Sequence, residues 1–308
     1  MSLHTASGRW QLGLGLAIST AFLWATLPVA LKLVLRELDA LTLTWFRFAF
    51  AAVGLGIWLG WRGRLGQLRG LDGRDRVLLG VAAIMLIGNY VLYLMGLDHT
   101  TPANAQLIIQ LAPLLMALGG ILIFRERFLP AQWLGLVAVA IGLLGFFNDQ
   151  RSAHAGQGNY LLGATLIVLA AVVWAIYSLA QKQLLMRLSS PVVLWVIYLA
   201  AAVLLLPTAD LPRLAALGGW AWVALIYCAL NTLAAYGAFA EALAHWEASR
   251  VSAILALTPL LTWLCVETAH ALWPGLVAAE RIGLWGWIGA LCVVAGAASV
   301  SLFGQRRR

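Results

Sequence analysis

Apolar residues gather into ten long runs, at about 10–34, 39–61, 77–97, 103–124, 129–148, 159–181, 191–207, 219–243, 250–268 and 284–303. Polar and basic residues collect in the short connections between them. About 20 apolar residues cross the hydrocarbon core as a helix. A membrane barrel would instead show alternating segments of about ten residues, and none occurs. The pattern predicts an all-α polytopic membrane protein with ten transmembrane helices and no separate soluble domain. The first run is too long for a signal-peptide core and lacks a clear cleavage site, so it reads as a retained span.

Composition narrows the class further. Of 308 residues, 63% are hydrophobic and 10% are charged, against about 25% charged in an average soluble domain. Mean hydropathy is +0.90. A disordered chain is excluded, and a soluble globule of this size could not clothe its surface in polar groups. Net charge is +8, from 20 Lys and Arg against 12 Asp and Glu. A basic balance also suits nucleic-acid binding, but here the charge is sorted by side. With a cytoplasmic N-terminus, fourteen of the Lys and Arg residues fall on the inner side. Only Arg36, Arg151, Arg213 and Arg281 fall on the outer side, while Lys32 and Arg47 lie within spans. The positive-inside bias therefore supports ten crossings with both termini cytoplasmic.

The chain also repeats itself. Trp24-Ala25 and Lys32 recur as Trp174-Ala175 and Lys182, 150 positions on. Pro113 recurs as Pro259 at an offset of 146, which also places Tyr90 on Tyr236. Glu126-Arg127, Trp133, Gly135 and Gly142 recur as Glu280-Arg281, Trp287, Gly289 and Gly296 at an offset of 154. Three matches in one order predict an N-terminal repeat over 1–148, an outer (periplasmic) linker over 149–158, and a C-terminal repeat over 159–308. Five helices per repeat is an odd number, so the second copy enters the membrane upside down. Inverted repeats can exchange conformations and open one central site to each side in turn, which is the arrangement of a transporter.

Polar residues sharing a helix face are the candidates for lining a path. Trp174, Tyr177, Ser178 and Gln181 form one stripe of the sixth span. Gln106, Gln110 and Pro113 form one in the fourth. Asn89, Tyr90 and Tyr93 mark the third span, Asn231, Thr232 and Tyr236 the eighth, and Thr258, Pro259, Thr262 and Trp263 the ninth. In the first span Thr20, Trp24 and Pro28 follow four-residue steps. The candidate substrate-binding residues are Trp24, Asn89, Tyr90, Tyr93, Gln110, Trp174, Tyr177, Ser178, Tyr236 and Trp263. The plainer alternative for each is a headgroup belt, as for Trp10, Trp58, Trp61, Trp220 and Trp222, or a bond to a neighbouring helix. Pro28, Pro113 and Pro259 each remove a helical N–H and are candidate hinges, with a static bend as the alternative.

Charge inside the membrane is scarce. Arg47 is the deepest. It reads as bonded to backbone carbonyls or snorkelling outward, or as a contact for a substrate carboxylate. Lys32 can snorkel from its helix end. A proton-coupled exporter of cations needs a deep carboxylate, and a phosphate carrier needs several buried cations. The pattern suits a small neutral or zwitterionic solute with an apolar part. Glu126 and Glu280 read as caps of the helices that follow them, with a gate salt bridge as the alternative. His99 and His245 read as solvated loop residues. The glycines of the fifth and tenth spans predict close helix approach, either between the halves or in a dimer. Cys228, Cys265 and Cys292 lie in apolar segments with no metal-ligand spacing, so neither a metal site nor a cofactor is expected. No nucleophile elbow, P-loop or zinc-protease motif occurs, and no catalytic group is expected.

The W-A-x6-K motif (Trp24, Ala25, Lys32) and its copy, Arg47 in the second span, the prolines of the fourth and ninth, and the E-R-x5-W-x-G stretch together resemble the EamA-type exporters. These form a branch of the drug/metabolite transporter superfamily, and the chain is most similar there to the YddG-type amino acid exporters. The likeness spans essentially the whole chain. It implies a central bundle of spans 1, 3, 4, 6, 8 and 9 in a bacterial inner membrane. It also implies export of amino acids, including aromatic ones, and related metabolites, with Trp24, Trp174 and the aromatics of the third span facing the cavity. The second E-R copy is displaced by about eight residues through His270–Ala279. Rival expectations are a multidrug exporter of lipophilic cations and a membrane scaffold that carries no solute.

Overall fold

The computed structural model describes residues 9–124, 129–153, 159–246, 251 and 254–303. Twelve α-helices account for the architecture among them. They are α1 (Trp10–Val34), α2 (Ala40–Trp61), α3 (Gly73–Asp98), α4 (Pro102–Ile108), α5 (Leu111–Phe124) and α6 (Pro130–Ala153). Then come α7 (Tyr160–Leu184), α8 (Ser190–Leu205), α9 (Leu211–Ala215), α10 (Gly219–His245), α11 (Thr258–Leu272) and α12 (Leu284–Phe303). Seven of these, α1, α2, α3, α6, α7, α8 and α10, are long and apolar enough to cross a membrane.

Local chemistry sets several ends. Asp39 accepts from the N–H groups of Leu41 and Thr42, both at 2.9 Å, and so starts α2. Burial alone would raise its carboxyl, but the Thr42 hydroxyl, which donates to it at 2.6 Å, and these two bonds hold it below the usual carboxylate range. Asp72 does the same for α3 through the N–H of Asp75. Gly63, with φ of +64°, takes the left-handed conformation that lets the chain leave α2.

The runs expected as the fourth and ninth spans are not continuous helices. The fourth is divided at Ile109-Gln110 into α4 and α5, and the ninth has a turn at Ala256-Leu257 before α11. Proline is the physical cause. Pro113 has no N–H for the carbonyl of Ile109, which accepts instead from Ala112 N at 2.9 Å, an i+3 bond that tightens the turn. Pro259 cannot serve the carbonyl of Leu255, which the Thr258 hydroxyl takes at 2.6 Å. Pro28 is buried within α1, which runs on uninterrupted.

The helices pair across the two halves of the chain, α1 with α10, α2 with α8, α3 with α7 and α6 with α12. Each pair is antiparallel, as the joining contacts show. Trp45 Nε1 donates to the carbonyl of Ala202 at 2.9 Å, and Trp195 Nε1 donates to that of Ala52 at 3.1 Å. In α6 and α12 a Cβ on Gly142 would lie 2.6 Å from Gly289 O. One on Gly135 would lie 2.7 Å from Gly296 O. These glycines therefore join the halves, which settles one of the two roles open in the sequence.

Small residues line the close contacts between helices, and many large apolar ones face outward. Ala17, Ala21 and Ala25 form a fully buried ladder on α1, while Ile57, Leu144 and Ile141 stand at 70%, 70% and 61% exposure. That inversion is expected where the solvent is hydrocarbon and close packing replaces the hydrophobic effect between helices.

Candidate functional site

Aromatic side chains from α1, α2, α3, α7, α8 and α10 converge in the interior. Tyr90 lies buried against Phe48, with ring centroids 4.5 Å apart, and Phe48 stacks on Tyr198 at 5.4 Å. Tyr236 packs against the cluster that holds Tyr90. Trp24 meets Tyr236 edge-on at 5.8 Å and Phe239 at 5.6 Å. Trp174 meets Tyr177 edge-on at 6.4 Å. Trp24, Trp174 and Tyr236 are only half-buried, so the cluster keeps accessible surface. Large rings with polar rims offer an amphiphilic solute both apolar area and hydrogen bonds.

Arg47 enters this cluster from α2. It is 3% exposed, its Nε donates to Thr232 Oγ1 at 3.2 Å, and its guanidinium carbon sits 4.9 Å from the Tyr90 centroid. The expected carbonyl bonds or outward snorkelling are not what the structure has. The guanidinium turns inward and lies over the tyrosine ring, where the negative π face holds a cation.

The other candidates fall in different places. Asn89 is buried and donates to the carbonyl of Ala170 at 2.9 Å, which ties α3 to α7. Ser178 is buried beside Tyr177 in sequence. Tyr93 donates to Gln106 at 3.2 Å. Gln110 is half-buried at the break between α4 and α5. Trp263 stands apart from the tyrosines. It packs on Trp287 at 4.6 Å and lines a small cavity with Leu107, Phe146 and Pro259. That cavity takes about one water molecule. Asn104, on α4, is fully enclosed, and neither end of its amide has a partner among the described residues. Tyr198, also absent from the sequence candidates, is 1% exposed, and its hydroxyl has no partner among the described residues.

Charged groups tie the helix ends. Lys32 does not run free to the surface. Its Nζ donates to the carbonyls of Leu97 and Asp98, at 2.8 and 2.5 Å, where α3 ends. Glu280 does not cap the helix that follows it. Its carboxylate crosses to α4, where it accepts from the Thr101 hydroxyl at 2.8 Å and from Ala103 N at 3.2 Å. Burial raises its carboxyl to about 7, against the lowering effect of those two bonds and of Lys32. The lengthened loop before α12 is what lets Glu280 reach α4. His245 ends α10 and pairs with Glu241 at 3.0 Å, rather than standing in a loop. Arg187 bridges to Asp72 and Asp75 at 2.6 and 2.7 Å. Glu126, Arg127 and Arg250 lie outside the described residues.

Residues 11–148 and 161–302 both match the EamA-like transporter family. The chain is 39% identical over 302 residues to YhbE, an uncharacterized inner membrane transporter of Escherichia coli K12, covering 97% of this chain and 94% of that one. An uncharacterized transporter of Haemophilus influenzae is 38% identical over 286 residues, 93% of each chain. A probable amino-acid metabolite efflux pump of Escherichia coli K12 is 23% identical over 310 residues, 95% of each. A protein solved by crystallography shares the fold with a TM-score of 0.63 at 23% identity, covering 98% of this chain and 99% of that one.

Proposed function

This chain belongs to the EamA-like transporter family, within the drug/metabolite transporter superfamily, and we propose that it exports amino acids and related metabolites by alternating access. It is a multi-pass protein of the inner membrane. In the proposed topology ten spans form two inverted repeats, 1–148 and 159–308, joined by 149–158, with both termini in the cytoplasm. Contacts that exchange under the repeat support this. Trp45 and Trp195 are counterparts at an offset of 150, as are Ala52 and Ala202. Each tryptophan bonds the counterpart of the other's acceptor. The two matches to one family over successive stretches point the same way.

The observation that carries the site is the packing of Tyr90 and Tyr236 into one aromatic cluster. These two are counterparts of each other, so they meet where the two halves are related by the pseudo-twofold. A solute held there by Trp24, Trp174, Tyr177 and Tyr236 is equidistant from two gates of like construction. By their helix faces we assign Tyr93, Gln110 and Ser178 to the same path. Asn89 orders α3 against α7, and Trp263 serves the contact between α11 and α12. The turns before Pro113 and Pro259 fall at nearly matched positions, and there the fourth and ninth spans bend as the site changes sides. Pro28 is a third bend, toward the outer end of α1.

The driving force in this reading is the solute gradient itself. Release of a panel of labelled amino acids from proteoliposomes, with and without a proton gradient, tests it. Gradient-independent release that Trp24→Ala and Trp174→Ala reduce about tenfold or more is expected. Accumulation against a gradient refutes the uncoupled mechanism, and release of lipophilic cations alone replaces amino acids as cargo. No release of any solute from well-folded protein refutes transport. The positive guanidinium of Arg47 beside the tyrosines works against a cationic cargo.

A further inference from the structure

Arg47 is a buried cation with unspent bonding capacity. A guanidinium carries five N–H donors in a planar fork. Among the described residues only Nε has a hydrogen-bond partner, the hydroxyl of Thr232, which in turn donates to the carbonyl of Cys228 at 2.8 Å. No ion pair joins Arg47 among the described residues. An interior arginine whose role is structural is normally satisfied by a carboxylate or by several carbonyls. This one is held at one nitrogen and over one ring, which leaves its fork open toward the tyrosine cluster.

The surroundings fit an anionic ligand. Thr232 fixes Nε, so the side chain cannot swing away. Tyr90 lies under the guanidinium and shares its cluster with Tyr236, whose ring meets Trp24 at 5.8 Å. Tyr198, enclosed on the same side through Phe48, has a hydroxyl with no partner among the described residues. One cation, a spare hydroxyl and aromatic walls beyond them match a carboxylate joined to an apolar body. We infer that Arg47 binds the carboxylate of the cargo, positioned by Thr232, and that the site selects amino acids and other organic acids over the corresponding amines. This rests on the proposed function, and it names the group by which that cargo is recognised.

The test compares L-phenylalanine, 3-phenylpropionate (carboxylate without amine) and phenethylamine (amine without carboxylate). Quenching of intrinsic tryptophan fluorescence in purified protein gives binding without any need for transport. Proteoliposome release of labelled phenylalanine gives flux. In the wild type both carboxylates should bind at least about tenfold tighter than phenethylamine, since a charge-assisted fork is among the strong hydrogen-bonding arrangements. Arg47→Gln should bring the three within about twofold of one another, and Arg47→Lys should keep part of the preference without the fork. Thr232→Val should weaken carboxylate binding while leaving phenethylamine unchanged.

Size exclusion and thermal unfolding identify the variants that are folded. A folded Arg47→Gln that still prefers the carboxylates tenfold overturns the inference, as does a wild type that binds all three alike. If Arg47→Gln does not fold, Arg47→Lys and Thr232→Val decide, and unchanged preference in both overturns it. Preferential binding of carboxylates with no flux of any solute refutes the proposed transport function instead, and leaves the anchor standing.

Discussion

Alanine at position 142 should uncouple the two halves, and the size of the effect can be worked from the backbone. The added methyl carbon would stand 2.6 Å from Gly289 O, 2.8 Å from Val293 N and 2.9 Å from Cys292 Cβ. Two of these three are main-chain atoms, so no rotamer change relieves the contact. An ordinary contact begins at 3.4 Å, so α6 and α12 must part by about 0.8 Å. A gap of that size forfeits a quarter to a half of each neighbouring pair's attraction, and overpacking of this kind costs about 1–3 kcal/mol. Gly145→Ala is the control, because its nearest neighbour would be 4.0 Å away. There the gain in helix propensity should leave stability unchanged or slightly raised. Reversible unfolding in mixed micelles, followed by the fluorescence of the 15 tryptophans, reads both. Gly289→Ala should match Gly142→Ala, and the double variant should cost less than the sum, because both relieve one contact. Equal stability of Gly142→Ala and Gly145→Ala would refute the backbone-contact account.

Three further outcomes are expected. Glu280, raised to about 7 here and 4.5 when free, binds its proton more readily in the folded state. Its contribution is therefore full below about 4.5 and lost as pH rises through 7. Thermal unfolding in detergent should show wild-type stability falling over that window, and Glu280→Gln should remove that part of the dependence. Asn89→Leu should lose about 0.6–1.7 kcal/mol by deleting the bond to Ala170, read by the same micelle unfolding. Replacing Pro113 with alanine restores an N–H for Ile109, so amide exchange near Ile109 and Gln110 should slow and flux should fall; unchanged exchange removes proline as the cause of the break.

The long helices were legible because the membrane demands unbroken apolar runs, and α1, α2 and α12 begin within a residue of where the pattern places them. The repeat offset places Tyr90 on Tyr236, and the two residues share one aromatic cluster. Periodicity could not place the breaks near Pro113 and Pro259, because a proline kink and a divided helix read alike in one dimension. Tyr198 was illegible because it sits alone in the apolar run of α8. Its signal lay in the repeat, since it is the counterpart of Phe48, on which it stacks. Trp263 was grouped with the other aromatics by residue type, yet its face of α11 turns to α12. Glu280 was misassigned because capping rules look to the next helix in sequence, whereas a long loop reaches any helix within range.

Asn104 has a consequence for motion. A fully enclosed amide whose two ends have no partner among the described residues costs about 1–3 kcal/mol for each group left unmet. Any rearrangement that wets α4 or brings a donor to it recovers that sum. In the proposed transport cycle such a rearrangement would favour departure from the arrangement described here, so Asn104 would act as a lightly compressed spring against resting on one side.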